Sequence, residues 1–80
     1  PNMPFSKQEK DALLTLKGVG PTVIKRFEEI GIDSFDGLKN HTATDIAEMV
    51  ASKLGTTCWK NSPQAKAAIE AAIGRASEGW

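Results

Sequence analysis

Residues 16–27 read LKGVGPTVIKRF. Two glycines bracket one valine, a proline follows, and from there the apolar residues fall at helical spacing. Proline suits the first position of a helix, because its missing N–H would be unpaired there in any case. Pro21 therefore opens a helix whose stripe is Val23, Ile24, Phe27 and Ile30, and Gly31 supplies a left-handed residue to stop it. On the other side of the glycines, Ala12, Leu13 and Leu16 share a helical face. That helix starts at SKQE, residues 6–9, where Ser6 caps and Glu9 bonds back in a capping box. Gly18 is expected to end it. One choice in this stretch needs a reason. A Ser or Asp would cap the second helix, yet the chain has Gly20.

The pattern continues to the C-terminus. The segment IDSFDGLKN, 32–40, is too short for a full helix and predicts a turn or two carrying Ile32, Phe35 and Leu38 to the core. Thr42 or Thr44 then caps a helix with Ile46, Ala47, Val50 and Leu54 on one stripe, and Gly55 stops it. Ser62 and Pro63 open the last helix, whose face of Ala65, Ala68, Ile69, Ala72 and Ile73 permits close approach of a neighbour. Residues 1–5 and 77–80 are expected to be tails around one domain at 6–76, with the hairpin at 17–21. Trp80 either frays with its tail or folds back. KLGTTCWKNSP, 53–63, joins two helices and ends in Pro as LKGVGP does, but with a single glycine.

Eighty residues make one small domain. Cys58 is the only cysteine, which excludes an internal disulfide and suits a reducing compartment. No apolar run approaches the roughly 18 residues of a bilayer span, and no basic region followed by an apolar stretch opens the chain. A cytoplasmic monomer with no membrane contact is expected. Ten Lys and Arg balance ten Asp and Glu, which argues against a strongly basic nucleic-acid binder but not against a local patch. The carboxylates are scattered, so no two-metal nuclease site is expected and the chain is read as a non-enzyme. His41 and Cys58 lack partners for metal or nucleophilic chemistry. Cys58 is expected as a buried or half-buried thiol, and Trp59 as a core plug.

The glycine pair has a chemical consequence. Glycine reverses the chain tightly and bares its backbone. An outside group can then reach the unpaired N–H donors at the start of the second helix, where the helix dipole favours an anion such as phosphate. Val19 can point inward and anchor the loop, while Lys17, Lys25 and Arg26 bring positive charge.

On these residues, LLTLKGVGPTVIKRFEEIGIDSFDGL, 13–38, resembles the helix-hairpin-helix DNA-binding motif. Leu16, Gly18, Val19, Gly20, Ile24 and Phe27 match its pattern. GIDSFDGL resembles the segment that follows the motif, and CWKNSPQAKAAIEAA, 58–72, is similar to the last helix of small domains of this family. The resemblance implies an all-α bundle of four helices plus a short connector, of helix-hairpin-helix or SAM-domain-like architecture. It also implies contact with the phosphates of one DNA strand without reading bases. The amides of Gly18, Val19 and Gly20 would bind phosphate, Thr22 and Lys25 would face it, and Lys17 and Arg26 would lie near. In some members hairpin carbonyls hold a monovalent cation, K+ or Na+; here these would be Gly18 and Gly20. No other cofactor is implied.

Two departures point to weak binding. Pro21 and Thr22 stand where strong binders carry Lys, and Glu28 and Glu29 add negative charge. About two to four phosphate contacts and an affinity of roughly 10⁻⁴ to 10⁻⁶ M are expected, in a domain accessory to a larger DNA-processing partner. The alternative is a protein-interaction module in which the GVG loop is only a turn and Trp59 or Trp80 meets the partner.

Overall fold

Helix α1, Lys7–Leu14, begins at the capping box read from SKQE. Ser6 Oγ accepts from Glu9 N–H at 3.2 Å, and Glu9 Oε1 accepts from Ser6 N–H at 3.4 Å. The computed structural model describes residues 5–79. Over them the chain is helical, with α2 at Pro21–Glu29, α3 at Phe35–Lys39, α4 at Ala43–Leu54 and α5 at Pro63–Glu78. Two helical hairpins, α1–α2 and α4–α5, are thus joined by the one-turn α3, and no strand occurs among the described residues. The radius of gyration is 11.3 Å, against about 12 Å for a folded chain of this length.

Helix α1 ends at Leu14, short of the expected stop at Gly18. The cause is local. Thr15 Oγ1 donates to Ala12 O at 2.7 Å, and the N–H groups of Thr15 and Leu16 reach back three residues, to Ala12 and Leu13. A hydroxyl competing for helix carbonyls, with tight i→i+3 bonds behind it, closes a helix early. Helix α2 closes as Gly31 predicts. Ile32 N–H donates to Phe27 O at 2.9 Å across the left-handed glycine, and Ile32 itself is buried.

Every element contributes to one core. Leu13, Ile24, Phe27, Leu38, Ile46, Val50 and Ile69 are its largest fully buried side chains. The alanine face of α5 packs against α3 and α4, burying Ala68, Ala72 and Ala76 around Ile69. Ala65 and Ile73 are half-buried. Trp59 is half-buried and packs against the edge of this core rather than inside it.

Three readings at the edges change. Phe5, read as tail, is buried; its ring meets Phe27 edge-on at 6.5 Å, and its N–H donates to Glu28 Oε2 at 3.1 Å. Helix α5 runs on to Glu78, where Arg75 donates to Gly79 O at 2.6 Å and stacks over the Phe35 ring. Trp80 lies outside the described residues. Cys58 is exposed rather than buried, because Thr56 Oγ1 takes its N–H in a tight turn that keeps the residue off the core.

Glu9 does more than cap α1. Its Oε2 accepts the N–H of Phe35, the first residue of α3, at 3.0 Å. Glu9→Ala removes the acceptor for two backbone donors at once and is expected to cost about 1–3 kcal/mol, a large part of the roughly 4–12 kcal/mol available to a chain of this size. Glu9→Gln keeps an acceptor oxygen and is expected to cost clearly less. Urea midpoints of the two variants decide; equal losses would mean that charge, not the bond to Phe35, is what matters.

Candidate nucleic-acid interface

The reversal between α1 and α2 is pinned by one side chain. Val19 is 4% exposed, and its N–H donates to Leu16 O at 3.2 Å. Gly18 before it has φ +85°. A Cβ there would lie 4.0 Å from the Ala68 Cβ, an ordinary contact, so the left-handed backbone and not crowding selects glycine.

Gly20 is a different case. It is the N-cap of α2, with φ −115° and ψ −176°, and an added Cβ would meet nothing within 4 Å. The fold does not need glycine at that position. The other four helices are each capped by a side chain: Ser6, Ser34, Thr42 and Ser62 accept from the amide three residues on. Helix α2 has no side-chain cap. The α4–α5 connection supplies an internal contrast. Gly55 is left-handed and Pro63 opens the helix, as Gly18 and Pro21 do, but Ser62 Oγ takes the Ala65 N–H at 3.1 Å. The second hairpin is closed by its own side chain, while the first is left open.

The open donors can be named. Pro21 has no N–H, and Val19 uses its own inside the turn, so Val19 does not join the phosphate-facing amides as the resemblance implied. The N–H groups of Gly18, Gly20, Thr22 and Val23 have no acceptor among the described residues. Thr22 and Val23 belong to the first turn of α2, where the helix dipole contributes about half a positive charge.

Among the predicted cations, Lys17 and Lys25 are exposed and in no ion pair among the described residues, and Thr22 is exposed beside them. Arg26 is different. Its Nη1 lies 2.7 Å from Glu29 Oε1, and the side chain is 25% exposed. The carboxylates read as repulsive are therefore both engaged, Glu29 by Arg26 and Glu28 by the N–H of Phe5. The pairing of Arg26 with Glu29 was missed from the sequence, although their i,i+3 spacing carries that signal.

Of the two carbonyls that the resemblance offers to a monovalent cation, one already accepts a bond of the helix. Gly20 O accepts from Ile24 N–H at 3.2 Å as the first acceptor of α2.

Two other features belong to the scaffold or to open surface. His41 Nδ1 lies 2.7 Å from Gly37 O and ties the α3–α4 turn to α3. An open groove of about 640 Å³ runs along the outer side of α4 between Ile30 and Met49. Asp45, Glu48 and Lys53 line it with both signs of charge. No protein-family model, curated protein or solved structure matches the chain.

The contrast between the two glycines is directly measurable. Gly18→Ala forces a side chain into the left-handed region and is expected to lose about 1–2 kcal/mol. Gly20→Ser adds a cap without a clash and is expected to hold stability or raise it by a few tenths of a kcal/mol. Chemical denaturation of both variants checks this. A loss at Gly20 as large as at Gly18 would make both glycines structural.

Proposed function

We propose that this domain binds the sugar–phosphate backbone of DNA through the α1–α2 hairpin, without reading base sequence, as a weak accessory contact for a larger DNA-processing partner. The α1–α2 unit is read as a helix-hairpin-helix, and the domain as a binding module rather than an enzyme. The observation that carries this reading is Gly20: a glycine that folding does not require, at the one helix start without a side-chain cap. Its effect is to leave backbone donors accessible from outside.

In this reading a phosphate oxygen accepts from the amides of Gly20, Thr22 and Val23, with the Gly18 amide nearby. The Thr22 hydroxyl adds a donor. Lys17 and Lys25, in no ion pair among the described residues, flank the phosphate with positive charge. Such contacts position a duplex but carry no sequence information. Base reading needs polar side chains that reach the groove edges, and the apex of this hairpin is Gly, Val, Gly, Pro and Thr. Zero net charge limits the affinity, since each phosphate neutralised contributes about −0.9 to the salt slope and few are within reach.

The test is an amide NMR titration of the labelled protein with a short duplex. The signals of Gly18, Gly20, Thr22 and Val23 are expected to move together, with affinity falling about 10- to 150-fold between about 50 and 200 mM salt for two to four phosphates. Gly20→Asp supplies a good cap, so it is expected to stay folded while its carboxylate occupies the donors and repels phosphate; binding is expected to vanish. Still amides in the folded protein, or unchanged binding by Gly20→Asp, would sink the proposal and leave the protein-interaction reading.

A further inference from the structure

Arg26 is one turn along α2 from Thr22, on the same side of the helix, because residues four apart lie one above the other. An arginine side chain is long enough to cross that turn of about 5.4 Å. It does not reach toward the hairpin here. Its guanidinium is held at 2.7 Å by Glu29, three residues further along. Both side chains are partly shielded, at 25% and 30% exposure, so this pair is less screened than the Lys7–Asp11 pair on α1, at 91% and 60%.

A guanidinium binds phosphate as readily as carboxylate, and in the same forked geometry. We infer that Glu29 is an internal stand-in for phosphate. It occupies Arg26 in the free protein, and a DNA phosphate at the start of α2 must displace it to recruit Arg26 as a further ligand. The inference rests on the DNA-backbone reading above and adds a competitor to it. Glu29 then sets the affinity of the site by competing for one of its ligands, beyond its general negative charge. Lys17 and Lys25 have no such partner among the described residues and act without a rearrangement.

The experiment is a double-mutant cycle on the full chain, with DNA affinity as the readout, beside the side-chain NMR signal of Arg26. Glu29→Gln keeps the size of the side chain and removes its charge. It is expected to raise affinity several-fold. In an Arg26→Gln background the same change is expected to gain far less, because the ligand it releases is gone. In the wild type, the Arg26 side-chain signal is expected to shift on adding DNA, together with the amides of Gly20 and Thr22. An equal gain from Glu29→Gln with and without Arg26 would reduce Glu29 to general charge repulsion and overturn the inference. So would an Arg26 signal that stays still while the hairpin amides move, and in that case the DNA-backbone reading survives. If neither moves, both fall together.

Discussion

The hairpin depends on the burial of Val19. Sinking one aliphatic side chain is worth about 1.5–3 kcal/mol, and it brings the backbone on either side to the surface. The Val19 N–H closes the turn onto Leu16, and the left-handed Gly18 lets the chain reverse over Ala68 of α5. The α5 helix that completes the core therefore also backs the loop. In the proposed reading, donors held this way need little ordering when a phosphate arrives, which lowers the cost of binding even where the contacts are few.

Carboxylates serve this small domain as staples. Glu9 ties α3 to α1, and Glu28 ties the segment before α1 to α2, each by accepting a backbone N–H far away in sequence. Donors at the edge of a small core would otherwise be left short of partners, and an unmade bond there is expensive. Against this background the open start of α2 is conspicuous. A chain that caps its other helices with Ser or Thr leaves this one to Gly20, although its geometry would accept a side chain. Thermodynamic economy alone would have put a serine there.

The balance of charge shapes what such a site can do. Ten cations face ten anions over the whole chain, and around the hairpin Lys17 and Lys25 are in no ion pair among the described residues. A phosphate contact built on a few oriented donors rather than on a long-range field falls off with salt in proportion to the contacts made. In the proposed reading, such a module adds grip to a partner held near DNA and gives little hold alone.

Much of this was legible in the residues. SKQE, the Gly–Pro pairing at 20–21, Thr42, Gly55 and Ser62–Pro63 mark helix boundaries through bonds spanning a few residues, so local sequence determined where the helices begin and mostly where they stop. Leu14 was the exception, because the Thr15 hydroxyl competed for a carbonyl. The glycine pair likewise marked the candidate site. Tertiary structure alone decided the rest. Phe5 became core because the Phe27 ring and the Glu28 carboxylate, 23 residues from the Phe5 N–H, were brought beside it. Glu9 found Phe35 across 26 residues. That Gly18 must be glycine while Gly20 need not be follows from φ and from the space around each. Those quantities belong to the packed chain, because burial and reach are fixed only when distant segments meet.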